Sequence, residues 1–187
     1  MEAFVAQMGR MPRPDRQPRP PYDEAAIERL ALFYVGRYAT TRSRLADYLR
    51  RKVKERGWAG ERAFDPAPLA DKLAGLGYVD DAAFAAARAR ALGARGYGAR
   101  RVAQSLRAAG VGEEERGDAL PDDEEAAWAA ALAFAKRKRI GPYAREAPDA
   151  EQRRKQFAAL MRAGHGVDVA RRVLSAGSAE LPAFDAD

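Results

Sequence analysis

The chain has 187 residues, 47% of them apolar and much of that alanine, with 33 basic against 27 acidic side chains for a net charge of +6. It contains no cysteine and a single histidine, which excludes disulfides, thiolate catalysis and cysteine-bound zinc and suits a reducing, cytoplasmic setting. No apolar run approaches the roughly 18 residues of a membrane helix and no signal-peptide core opens the sequence, so no membrane association is expected, while the basic balance favours an anionic partner.

Long alanine, leucine, arginine and glutamate runs without strand-like alternation predict an all-α chain. Residues 1–21 interleave prolines 12, 14, 18, 20 and 21 with Arg10, Arg13, Arg16 and Arg19, a composition expected to form a disordered basic arm that serves either to attract nucleic acid or as a solubilising tail. Asp23 is placed to cap a first helix whose Ile27, Leu30, Ala31 and Tyr34 share one stripe. Ser43 or Thr41 caps a second, with Leu45, Tyr48, Leu49 and Val53 inward and Arg50, Arg51 and Lys54 outward, stopped by Gly57. Asp65 and prolines 66 and 68 open a third, through Leu69, Leu73 and Leu76 to Gly77.

The plan then repeats. Asp80 and Asp81 open a helix with Phe84, Ala87 and Ala91 as its expected inner face, and glycines 93, 96 and 98 make the following turn. The next helix groups Val102, Leu106 and Ala109 on one side and Arg100, Gln104 and Arg107 on the other, before a short segment over residues 112–120. A third unit starts with Asp122, Asp123, Glu124 and Glu125 ahead of Trp128, Leu132 and Phe134, and ends its first helix in Lys136 to Arg139, acid first and base last as the helix dipole favours. Gly141 and Pro142 break it, a helix through Phe157, Leu160 and Met161 runs to Gly164, and a last one presents Val169, Val173 and Leu174. Gly57, Gly110 and Gly164 lie 53 and 54 residues apart, each four residues after an apolar side chain, Val53, Leu106 or Leu160. The chain therefore divides into an arm (1–21), three tandem three-helix repeats (22–78, 79–120 and 121–176) forming an elongated curved array, and a tail (177–187).

Chemistry-bearing motifs are few. His165, between two glycines, reads as an imidazole beside helix-terminal carbonyls, with no second soft ligand near it. The 93–98 glycines follow a helix and lack the order of a phosphate-binding loop. They form either a plain inter-helix turn or one that also offers amides and Arg95 to an anion. Tyr97 either packs in that turn or stacks on a base. The paired acids read as caps. No catalytic, metal or cofactor site is expected.

The arginines are the distinctive feature. Residues 82–110 hold six, at 88, 90, 95, 100, 101 and 107, and no acid, whereas a merely solvated helix usually mixes signs. Arg88 falls on the Phe84 side, as if to run along the edge of the core. The expected contact set is Arg95, Arg100, Arg101 and Arg107, with Arg90, Arg50 and Lys54 beside them.

Taken in order, Arg42, Ser43, Arg44 and Leu45 before Leu49, then Gly77, Tyr78, Val79, Asp80 and Asp81 with Phe84, then Arg95, Gly96, Tyr97 and Gly98, Arg101, Val102, Leu106 and Gly110 resemble the bacterial RecX family of recombination regulators over about residues 26–176. The segment 58–68 is longer than the family pattern, and the third unit matches it loosely. The resemblance implies three-helix repeats lying in the groove of the RecA recombinase filament on DNA, with inhibition of its ATP hydrolysis, strand exchange and coprotease activity. RecA would be the partner; beside it, weak direct DNA contact and a monomeric chain are expected. The residues themselves equally allow a helical DNA- or RNA-binding protein with no recombinase partner.

Overall fold

The structure, a computed structural model, describes residues 19–120 and 123–177. Nearly all of the arm, Asp122 and the 178–187 part of the tail lie outside the described residues. Within them the fold is all-helical: α1 (Glu24–Val35), α2 (Arg42–Arg56), α3 (Ala67–Gly75), α4 (Asp81–Ala94), α5 (Ala99–Arg107), α6 (Glu113–Ala119), α7 (Glu124–Lys138), α8 (Ala150–Arg162) and α9 (Val167–Ser175), with a 3-10 turn at Gly141–Tyr143. One isolated parallel backbone bridge, Tyr22 to Trp58, is the only extended pairing among the described residues.

Three cores follow one another along the chain. The first joins Ile27 and Ala31 of α1, Leu45 and Leu49 of α2, and Ala70 and Leu73 of α3. The second joins Ala85, Ala89 and Leu92 of α4 to Val102 and Leu106 of α5, and the third joins Leu132 and Phe134 of α7, Leu160 of α8 and Val173 of α9. The second is built largely of small side chains, so each contributes only part of the ~1.5–3 kcal/mol that a buried leucine or phenylalanine supplies. Its stability must draw on its neighbours.

The caps show why the helices begin where they do. Asp23 accepts the Ala26 amide, Thr41 that of Arg44, Asp80 that of Ala83 and Asp149 that of Gln152, whose side chain returns the bond to the Asp149 amide. The competition between Ser43 and Thr41 for the second cap is thus resolved for Thr41.

The inner face of α4 differs from the expected one. Ala85, Ala89 and Leu92 are buried together with Asp81, while Ala87 and Ala91 face solvent and Phe84 is only partly covered. An almost uniform alanine sequence carries no periodic signal, and Phe84 set the wrong frame. Arg88 does not follow the core edge; its Nε donates to Ser105 Oγ on α5 at 3.1 Å.

Gly57, Gly110 and Gly164 end α2, α5 and α8 at φ +93°, +70° and +93°, the left-handed conformation that glycine adopts without a Cβ penalty. In the latter two the next residue closes the helix, Val111 N–H onto the Leu106 carbonyl and His165 N–H onto the Leu160 carbonyl, both at 3.2 Å. The repeating apolar residue four positions upstream is the one whose carbonyl receives that bond.

Candidate functional site

The second helices of the units meet end to end. Gly98 and Arg100, at the start of α5, donate their amides to the Ala163 and Gly164 carbonyls at the end of α8, at 3.0 and 3.2 Å. At the other junction the Thr41 hydroxyl, at the start of α2, donates to the Ala109 carbonyl beyond α5 at 2.5 Å. At one junction α5 thus offers N-terminal backbone donors to the last carbonyls of α8, and at the other the capping hydroxyl of α2 reaches a carbonyl just beyond α5. The approach is close: a Cβ on Gly164 would overlap the Arg101 backbone nitrogen, one on Gly98 the Gly164 carbonyl, and one on Gly110 the Ser43 side chain.

Of the two readings of the 93–98 turn this disfavours the anion-presenting one, because two amides it would need are taken by Ala163 and Gly164. Gly93 also lies within the last turn of α4 rather than in the loop, and only Gly96 takes a positive φ there, +77°. A Cβ on Gly96 would strike the backbone of Phe134 in the third unit. Gly96 and Gly98 are needed for contact between units, whereas Gly93 has open space around it.

Two polar side chains lock the same junctions. Asp81, buried at the start of α4, accepts the Arg42 amide at 2.9 Å and Arg42 Nε at 3.2 Å, and Arg42 also reaches Glu115 at 3.5 Å. The hydrogen bond to Asp81, then its charge, raises the Arg42 pKa above its ordinary value. Asp80 is a simple cap, whereas Asp81 caps α2 from a different unit. His165 is 2% exposed and its Nε2–H donates to the Gly96 carbonyl at 3.1 Å, with its ring 5.8 Å from that of Phe134. Burial lowers its pKa, and the bond to Gly96 partly opposes that. The imidazole is structural, as expected, but its partner lies in the second unit rather than on its own helix.

Held by these contacts, the expected contact residues sort into three groups. Arg100, Arg107, Arg90 and Lys54 are exposed and make no side-chain hydrogen bond or ion pair among the described residues. Lys54 and Arg107 hold the same place, three residues before Gly57 and Gly110. Arg90 and Arg100 both border a 660 Å³ groove floored by alanines of α4 and α7. Arg50 pairs with Asp47 at 2.5 Å and Arg101 with Gln104 at 2.8 Å, so both are partly committed within their own helices. Arg95 sits 5.8 Å from the Tyr97 ring, with Arg137 of α7 5.5 Å from the same ring. Tyr97 is half-buried against both the second and third cores.

A further basic element escaped the sequence reading. Arg137, Lys138 and Arg162 border a 380 Å³ hollow with Tyr97 and Phe134, which places three cations of the third unit around Tyr97 of the second, the ring that Arg95 also approaches at 5.8 Å. In sequence the 136–139 run reads as helix-dipole complement, and Arg162 is remote from it. Packing of α7 against α8 in the third core brings them together, and the junction through Gly96 adds Tyr97.

Among the described residues no three histidine, aspartate or glutamate side chains group to hold a metal ion, and no helix is long and apolar enough to cross a membrane.

Comparison with known proteins bears on the same region. A family model described as RecX, second three-helix domain, matches residues 80–120, the stretch that holds all six arginines of the acid-free run. The regulatory protein RecX of Myxococcus xanthus is 34% identical over 178 residues, covering 91% of this chain and 93% of that protein. That of Agrobacterium fabrum is 29% identical over 149 residues, covering 78% and 79%. A crystal structure of regulatory protein RecX superposes with a TM-score of 0.57 at 25% identity, over 80% of this chain and 72% of that one.

Proposed function

The chain belongs to the RecX family of regulatory proteins, and on that footing we propose that it inhibits the RecA recombinase by lying along the RecA filament on DNA. It would depress ATP hydrolysis, strand exchange and coprotease activity as a cytoplasmic monomer, with direct DNA contact through its basic side chains. The observation that carries this reading is the exposed, unpaired pair Arg100 and Arg107 on α5, inside a stretch without a single acid. Such side chains have no internal counter-charge to satisfy and are available to phosphate or to an acidic protein face.

No active site is required. A preformed helical surface that binds one filament state more tightly than another shifts the filament toward that state by its differential affinity alone. The end-to-end junctions support this by fixing the offset between successive second helices, so that Lys54 and Arg107 recur at one register. A surface of fixed repeat suits a partner that is itself a repeating polymer.

The acid-free stretch also favours a second reading, binding to nucleic acid without a recombinase. Co-sedimentation with RecA, in the presence and absence of single-stranded DNA, separates the two. Retention that depends on RecA supports the first. Binding to naked DNA that falls steeply with salt, without retention by RecA, selects the second.

A further inference from the structure

The hollow between the ends of α7 and α8 gathers cations from both helices and no acid. Its 380 Å³ are lined by Arg137, Lys138 and Arg162 around the rings of Tyr97 and Phe134, with only alanines besides. Arg95 sits 5.8 Å from the centre of the Tyr97 ring, and Arg137 lies 5.5 Å from the centre of each of the two rings. All four cations are exposed, and none makes an ion pair or a side-chain hydrogen bond among the described residues. The neighbouring sequence supplies no counter-charge either, since residues 126–145 and 152–167 contain no acid.

Helix dipoles do not account for this gathering. A cation near a helix C-terminus answers carbonyls left without a donor, and here those carbonyls have donors already. At the end of α8 the Ala163 and Gly164 carbonyls accept the amides of Gly98 and Arg100, and the Leu160 and Met161 carbonyls those of His165 and Gly164. At the end of α7 the Ala135 and Lys136 carbonyls accept the amides of Ile140 and Arg139. What is left is like charge collected at one hollow, which costs free energy until an anion joins it.

The lining also says which anion. An arginine fork resting beside a ring has given up part of its freedom before it binds, and it meets phosphate or carboxylate oxygens in pairs. An acidic peptide would use the cations alone, whereas the rings of Tyr97 and Phe134 add a stacking surface that only a base completes. The volume lies near the low end of the ~300–1,000 Å³ of small-molecule sites, enough for one nucleotide unit. We propose that the hollow binds the phosphate of a nucleotide unit between Arg137, Lys138 and Arg162, with its base against Tyr97 or Phe134, and that this unit belongs to a single nucleic-acid strand, whose unpaired bases have a free face to offer. The inference rests on the direct nucleic-acid contact of the proposed function and not on RecA. It adds a site on the third unit to the arginines of α5.

The test uses the full chain and a fluorescent oligothymidylate without RecA, so its failure leaves the inhibition standing. Arg137→Gln/Arg162→Gln removes two charges from the hollow and keeps good helix formers in place. Arg153→Gln/Arg154→Gln removes two exposed charges from α8 outside it. The first variant should bind the oligonucleotide about ten-fold more weakly, with the slope of log affinity against log salt reduced by about one to two. The second should change affinity by less than about two-fold. Displacement of the oligonucleotide by thymidine monophosphate at an equal nucleotide concentration would assign the phosphate site to free nucleotide and overturn the assignment to a strand; displacement by unlabelled oligothymidylate alone supports it. Equal losses in the two variants, no loss in the first, or displacement by polyglutamate as readily as by oligothymidylate overturns the site itself. Should the first variant fail to fold, photocrosslinking of the parent chain to a bromodeoxyuridine-substituted strand decides: attachment at Tyr97 or Phe134 supports the proposal, and attachment only elsewhere overturns it.

Discussion

The Asp81 carboxylate accepts the Arg42 amide at 2.9 Å and the Arg42 guanidinium at 3.2 Å, so the first residue of α4 caps α2 from the neighbouring unit. Truncating Asp81 leaves an N-terminal donor unmatched inside a junction. A charged hydrogen bond contributes about 1.5–3 kcal/mol, and since the Arg42 side chain is 46% exposed and regains water, Asp81→Ala should cost about 1–2 kcal/mol in urea unfolding. Asp80→Ala removes an exposed cap and should cost about 1 kcal/mol or less.

The glycines separate two costs. Gly77 has φ +78° and open space around its missing Cβ, so Gly77→Ala should show the left-handed penalty alone, about 1–2 kcal/mol. Gly164→Ala carries the same penalty and also drives a methyl into the Arg101 backbone. Its loss of stability should be clearly larger, and thermal unfolding of the two variants side by side checks it.

Arg139 ends α7 at φ 54°, the one non-glycine residue in that conformation among the described residues. Arg139→Gly relieves the strain and should raise stability by up to about 1 kcal/mol despite glycine's greater freedom in the unfolded chain. An unchanged or lowered unfolding midpoint would show that the arginine is not strained.

His165 makes stability depend on pH. Its folded-state pKa is lowered by burial, so below the unfolded value of about 6.5 the unfolded chain binds the proton more readily. Stability is then fully present above about pH 6.5 and declines as pH falls, by at most ~1.4 kcal/mol per pH unit. His165→Gln keeps a donor for the Gly96 carbonyl without titrating. The fall in unfolding free energy between pH 7 and pH 5.5 should be smaller in the variant than in the parent.

Helix positions and the three-unit plan were legible because caps and helix-ending glycines are local. Asp23, Thr41, Gly57, Gly110 and Gly164 act within a turn or two of their own backbone. What crosses between units was not legible. Asp81 looks like a second cap beside Asp80, and nothing nearby in sequence announces that Arg42, 39 residues away, receives it. The 93–98 glycines left a plain turn and an anion-presenting one both open, because the groups they meet, Ala163, Gly164 and Phe134, lie in another repeat. The outward set of Arg100 and Arg107 was readable because Val102 and Leu106 fix the opposite face of α5. The hollow that sets Arg137, Lys138 and Arg162 around Tyr97 was not, since it needs the packing of α7 on α8 and a ring from the neighbouring unit.

The end-to-end contacts also bear on mechanics. Each junction joins backbone to backbone or side chain to backbone, with glycine at the closest approach, so the units have little room to slide past one another. A rigid repeat binds a polymer with less ordering cost than a flexible one. On the proposed reading, loosening a junction should weaken RecA inhibition even when the arginines are intact.

The most direct test of the proposed inhibition is the steady rate of ATP hydrolysis by RecA on single-stranded DNA, titrated with the parent chain and with Arg100→Glu/Arg107→Glu at equal folded concentration. Two exposed charge contacts contribute roughly 1 kcal/mol or less each, so their reversal should raise the concentration needed for half inhibition by about ten-fold. The account predicts that the parent depresses hydrolysis at a small fraction of the RecA concentration and that the variant loses most of that potency. No depression at any ratio would contradict the inhibition itself, and equal potency of the variant would contradict the assignment of the contact to α5.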